Sequence, residues 1–146
     1  FHWNNETLEV VHSKSAHTDG DAVIYFKSAN VVHVGDLFFN GIYPFIDAEH
    51  GGSIDGLISD ADKILERVNA ETRIIPGHGP MGDRTALVAF RDMLTVARDN
   101  VRALVAQGKS REQVIAAKPT ASLDGKWGKG FLSGDGFAGL VFDSLK

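Results

Sequence analysis

The stretch TRIIPGHGP, residues 72–80, decides how this chain is read. Thr72 to Ile75 has the β-branched, apolar character of a short buried strand, and it runs directly into Pro76, Gly77, His78, Gly79 and Pro80. A turn with one imidazole at its centre, framed by two glycines and two prolines, puts a polar group where a buried strand ends. Side chains at strand ends can be held in fixed geometry, and glycine lets a backbone approach a ligand closely. His78 is the first candidate for chemistry.

Towards the N-terminus, Ser53 opens a helix. Ile54, Leu57, Ile58, Ala61, Ile64, Leu65 and Val68 recur at spacings of three and four, Ser53 can cap, and Asp55 suits the first turn. Before it lie three strand-like runs: Thr7 to His12, Ala22 to Phe26 and Val31 to Val34. The last two are joined by a linker of hairpin length, Lys27 to Asn30. They read as a meander covered on both faces, sheet inside and helices outside.

Towards the C-terminus a long helix carries Leu87, Phe90, Leu94, Ala97, Val101 and Leu104 on one stripe, and Gly108 closes it. Ser110 and Gln113 form a capping box for a short helix ending near Lys118, where Pro119 stops it. A final amphipathic segment holds Phe137, Leu140, Val141 and Leu145. With no internal repeat or domain linker, residues 1–146 read as a single α/β unit.

At 146 residues the chain suits one core, and 43% apolar with 23% charged residues is a globular composition. No uninterrupted apolar run approaches the ~18 residues of a membrane span, so no membrane role is expected. A formal charge of −4 gives no general field for nucleic acid. The chain has no cysteine, so a metal would be held by His, Asp or Glu. It opens on Phe1, His2 and Trp3 without an initiator Met or a signal segment, which reads as a processed product or a fragment. The compartment stays open.

Three polar residues sit in Gly-containing segments beside buried strands: His17 in SAHTDGD, Asp36 in VVHVGDLFFNG, and His78. Two imidazoles and a carboxylate suit zinc, manganese or iron better than magnesium or calcium. Taken singly, each has a plainer reading as turn chemistry or a hydrogen-bonded surface group. Asp19 and Asp21 read as turn residues or as supports behind a ligand. His33 reads as a satisfied core histidine. His2 and His12 lack supporting spacing, and His50, beside Gly51 and Gly52, is kept as a weak candidate.

Taken together and in order, AHTDGDAVIYF, VVHVGDLFFNG and IIPGHGP resemble the metallo-β-lactamase superfamily, in particular its cyclase-like or lactamase-like metal-dependent hydrolases. The resemblance runs from about Thr7 through the long helix. It implies that His17 binds a first metal, that Asp36 bridges two metals and that His78 binds the second, with Thr18, Asp19 and Asp21 in the supporting loop. The implied cofactor is zinc, one or two ions, with manganese or iron possible. The substrate would be a small molecule whose bond class stays open: ester, thioester, lactam, lactone and phosphodiester all suit such a scaffold.

The family's H-x-H-x-D-H run, which supplies most of the remaining ligands, occurs nowhere in the sequence. The chain therefore resembles the C-terminal half of the family's αββα sandwich: a mostly antiparallel sheet with outer helices, from a truncated product or a natural half-protein. Neither metal position closes with the ligands present, so metal binding by this chain is expected to be weak or absent and its activity alone is in doubt. The apolar sheet face that the missing half would cover implies a homodimer packed sheet to sheet.

The alternative is a non-catalytic remnant or interaction module that keeps the scaffold. A nuclease-type member is a distant third, disfavoured by the acidic charge. Two further stretches stay open. Phe38 to Asp47 is either a substrate wall or plain packing. Asp124 to Phe131 reads as a Gly-rich loop whose aromatics plug the edge of the core, with stacking on a base or sugar as the other option.

Overall fold

Val32, Val34 and Ile74 are fully buried, and Val23 and Tyr25 nearly so; these five residues mark the side of the sheet on which the helices lie. The computed structural model describes residues 1–145. Five strands, β1 (His2–Trp3), β2 (Glu6–His12), β3 (Ala22–Phe26), β4 (Val31–Phe39) and β5 (Arg73–His78), form one sheet in sequential order. The first four are antiparallel neighbours and β5 runs parallel to β4. The connection between β4 and β5 contains α1 (Ile54–Leu65), as a parallel crossover requires. After β5 come α2 (Arg84–Ala106), α3 (Arg111–Ala116), α4 (Ala121–Trp127) and α5 (Gly134–Ser144).

The helices follow from local signals. Ser53 caps α1 by accepting from the Gly56 N–H, and Asp83 caps α2 by accepting from the Ala86 N–H. Ser110 and Gln113 form the expected capping box on α3. The stripe Ile54, Leu57, Ile58, Ala61, Ile64 and Leu65 is buried along α1, and Leu87, Phe90, Met93, Leu94, Ala97 and Val101 along α2. Each fully buried Leu or Ile contributes about 2 kcal/mol of transfer free energy. The two helices pack on one another and on β4, while α5 closes over α2 and α3.

The other side of the sheet differs from the expected meander covered on both faces. The registers Leu8↔Phe26, Val10↔Ile24, Ile24↔His33 and His33↔Ile75 put these residues side by side on one face. Val10 is exposed and Leu8, Phe26, Ile24, His33 and Ile75 are half-buried, because no described helix packs there. His33 therefore sits on an open face rather than in the core, with its Nδ1 accepting from the Gly35 N–H.

Three elements differ in extent from the sequence reading. β4 continues past Val34 to Phe39, so Asp36 lies within a strand rather than after one. β5 continues through the Pro-Gly-His run to His78, which the parallel neighbour supports by pairing Phe39 with His78. Asp124 to Trp127 belongs to helix α4 instead of a loop. Trp127 does plug the core, at 4% exposure, but Phe131 stays 60% exposed. Among the described residues, no helix is long and apolar enough to cross a membrane.

Ser53 joins α1 to the loop carrying His17, since its hydroxyl also donates to the Ser15 carbonyl at 2.9 Å and its N–H to the Ala16 carbonyl at 2.8 Å. Ser53→Ala should lower stability by about 1 kcal/mol, the usual value of a lost cap. Urea denaturation would register this as a lower midpoint with an unchanged slope.

Candidate metal centre

The three motif residues converge at the C-terminal ends of β4 and β5. Gly35, at φ +52°, breaks the regular register of β4. Val32 and Val34 face the helices before the break; Leu37, Phe38 and Phe39 are all buried after it. Asp36 is left at the exit, with its carboxylate partly open to solvent. His17 Nε2 lies 3.4 Å from Asp36 Oδ2, and His78 Nε2 lies 3.4 Å from Asp36 Oδ1. One carboxylate thus faces one imidazole with each oxygen.

Gly77 makes this possible, for a reason other than freedom of the turn. A Cβ at Gly77 would overlap Asp36 Oδ1 and crowd the Asp36 backbone. Gly79, at φ +90°, lies against the Asn40 carbonyl, and the Asn40 N–H donates to the His78 carbonyl at 2.9 Å. The glycines on either side of His78 are needed so that β5 and the exit of β4 can touch. Pro80 contributes its carbonyl, which accepts from the Asn40 side-chain amide at 2.9 Å.

His17 is held from behind. Its Nδ1 is 2.9 Å from the Phe45 carbonyl, an oxygen that can only accept, so the proton sits on Nδ1. In the neutral ring this leaves the Nε2 lone pair turned towards Asp36, the orientation a metal-ligating histidine takes. A lone pair facing a carboxylate oxygen calls for a cation or a proton between them.

The backbone of the His17 loop is clamped by the turn at residues 47–52: Asp47 N–H donates to the His17 carbonyl at 3.0 Å, and a Cβ on Gly52 would overlap that same carbonyl. In this turn the His50 ring bonds to the Asp47 carboxylate, lowering the carboxyl's pKa and raising the imidazole's. His50 is exposed, and its recorded ring partner is Asp47 rather than the motif residues. Thr18 and Asp21 brace the loop: the Thr18 N–H donates to Asp21 Oδ2 at 2.7 Å, and the Gly20 N–H donates to the Thr18 hydroxyl. Asp19 packs against Gly51 and accepts, through its carbonyl, from the His12 ring.

Aromatic rings surround the three polar residues. His78 stacks on buried Phe39 at 4.7 Å between centroids, and His17 lies 6.2 Å from the same ring. Phe45 meets His17 edge-on at 6.1 Å, and Phe131 approaches His78 at 5.9 Å. Within the Phe38 to Asp47 stretch the two readings divide by residue: Phe38, Phe39, Tyr43 and Ile46 are packing, while Phe45 remains 41% exposed beside His17. Phe131 carried no local signal as a neighbour of the site, because three helices, α2, α3 and α4, separate it from His78 along the chain. A separate cleft of about 290 Å³ lies between β2, β3 and α1, lined by residues such as Ser13, Tyr25, Asp60 and Arg67, and contains none of the three.

The family model for the metallo-beta-lactamase superfamily matches residues 5–78, just over half of the chain, including His17, Asp36 and His78. The chain belongs to the metallo-beta-lactamase superfamily. Solved structures agree on the fold. A metallo-beta-lactamase from Pontibacter korlensis shares 20% identity at a TM-score of 0.55, over 65% of this chain and 44% of its own length. The stereoselective inverting sec-alkylsulfatase Pisa1 from a Pseudomonas species shares 18% identity at a TM-score of 0.77, over 97% of this chain and 24% of its own. The BLEG-1 B3 metallo-beta-lactamase shares 24% at a TM-score of 0.53, over 65% of this chain and 44% of its own. The metallo-beta-lactamase superfamily chain described here thus spans less than half the length of each of these structures. No curated protein sequence matches it.

For a metal, the donors fit in kind and fall short in number. Imidazole nitrogen and carboxylate oxygen are the ligands expected without cysteine. Yet among the described residues no group of three or more His, Asp or Glu side chains is placed to hold one ion. One imidazole and one Asp36 oxygen at each position leave both incomplete, so no catalytic step is assigned to these residues alone.

Gly77→Ala should displace the Asp36 carboxylate and separate it from both imidazoles. The expected result is a folded protein with changed His17 and His78 ring signals by NMR, whereas Gly125→Ala, where a Cβ meets open space, should leave those signals unmoved.

Proposed function

We propose that this chain carries the His17, Asp36 and His78 side of a metal-dependent hydrolase site, with donors from outside these 146 residues completing it. The observation that supports the reading is the pair of imidazole Nε2 atoms on the two oxygens of one carboxylate, from three segments within the residues that match the family. When bound, zinc or a similar ion in such a site acts as a Lewis acid and lowers the pKa of coordinated water. The residues of this chain hold the ligand geometry: Phe45 orients His17, the Gly35 break presents Asp36, and Phe39 supports the His78 ring. The substrate is a small molecule.

The open apolar face of the sheet supports the second part of the proposal. Leu8, Val10, Ile24 and Phe26 form an apolar patch, extended to Ile75 across His33, of the kind that soluble proteins cover. We assign it to a second β-layer, supplied for this chain by another copy in a homodimer packed sheet to sheet. The competing reading, a scaffold or interaction module without chemistry, is favoured by the shortage of metal donors.

Elemental analysis of the chain purified without a histidine tag separates the two readings. With the second copy of the dimer supplying the missing donors, the hydrolase reading expects roughly one zinc per chain, falling at least tenfold in Asp36→Asn and His78→Ala. No metal in the unsubstituted protein would leave the module reading. Light scattering after size exclusion tests the dimer: a dimer mass is expected, lost in Ile24→Glu, and a monomer that binds no hydrophobic dye would exclude it.

A further inference from the structure

Phe45 and Phe131 are the two large, exposed aromatic residues recorded against the motif histidines, and they stand at opposite ends of the row. Phe45 lies against His17 and Phe131 against His78, with Phe39 between the two imidazoles as a buried floor. Both are fixed rather than trailing. Phe45 is held through its carbonyl by His17 Nδ1. Phe131 follows Gly130, where a Cβ would come within 2.8 Å of Ile42, and Trp127, which is buried and whose carbonyl accepts from the Tyr43 N–H at 3.0 Å. Tyr43 further donates its hydroxyl to Asp124 Oδ1 at 2.7 Å and stacks on Phe137. The segment bearing Phe131 is thus locked to the loop bearing Phe45, and Phe131 lies outside the residues matched by the family model.

We propose that Phe45 and Phe131 are the apolar walls of a substrate cleft across His17, Asp36 and His78, selecting a substrate with a hydrocarbon arm, alkyl or aryl, beside the group hydrolysed. Among the described residues the ion-pair partners of Asp36 are the two imidazoles, so the walls nearest the centre are aromatic rather than cationic. Rings carried on an anchored backbone lose less freedom when an apolar arm settles on them than rings on a mobile loop. The word substrate rests on the hydrolase reading; the placing of one aromatic ring beside each imidazole does not.

The test uses neutral probes and metal-free protein: acetamide, hexanamide and phenylacetamide, titrated while the imidazole and phenyl signals are followed by NMR. Hexanamide and phenylacetamide should bind about tenfold more tightly than acetamide and shift the His17 and His78 signals. Phe131→Ala and Phe45→Ala should each reduce that preference to about threefold or less, and Phe131→Leu should keep the preference for hexanamide better than that for phenylacetamide. Equal affinities for the three amides, or a preference untouched by both alanine variants, would overturn the proposal. So would Phe131 signals that move with protein concentration and not with probe, which would assign the rings to a protein contact. Absence of bound zinc bears on the hydrolase reading and leaves the amide result intact.

Discussion

Everything at the centre depends on how closely β5 passes the exit of β4. Parallel pairing sets the two strands side by side, and the missing side chain of Gly77 lets the backbone of one lie against the carboxylate of the other. The contact is steric before it is electrostatic: with any larger residue at 77, Asp36 would have to leave the position from which both oxygens face imidazoles. The break at Gly35 and the left-handed Gly79 serve the same approach from either side. His17 joins from a loop clamped onto the N-terminus of α1, where Gly56 is needed because a Cβ would overlap the Ser15 carbonyl.

The sheet distributes its apolar surface unequally. One face is sealed by α1 and α2, with a dense set of residues at zero exposure from Val32 to Leu94. The other presents apolar side chains in cross-strand register and keeps them half-exposed. Apolar burial supplies most of the stability of an α/β layer, and this second face contributes little of it. The polar centre lies at the end of the same sheet.

The helices were legible because their information is local. Ser53, Ser110 and Gln113 cap where their spacing says they should, and the stripes of α1 and α2 are buried as their periodicity requires. The strand limits were less so: Pro76 and the glycines beside His78 have the composition of a turn, and only the neighbouring β4 draws them into a strand. Asp124 to Trp127 likewise has loop composition and becomes helical because Trp127 finds a buried place beside Phe90. Thr18 and Asp21 could be assigned to the His17 loop from sequence, but their hydrogen bonds to its backbone could not.

By itself the sequence determined helices α1 to α3, the cores of the longer strands, the Ser53 and Ser110 caps and the three polar residues worth comparing, since each is encoded within a few neighbouring positions. Tertiary structure decided that His17, Asp36 and His78 meet on one carboxylate, that one face of the sheet is left open, and that Phe45 and Phe131 flank the centre. Those outcomes depend on contacts between residues as far apart as Phe39 and Phe131, and no local pattern carries the geometry of a chain that must fold back to make them.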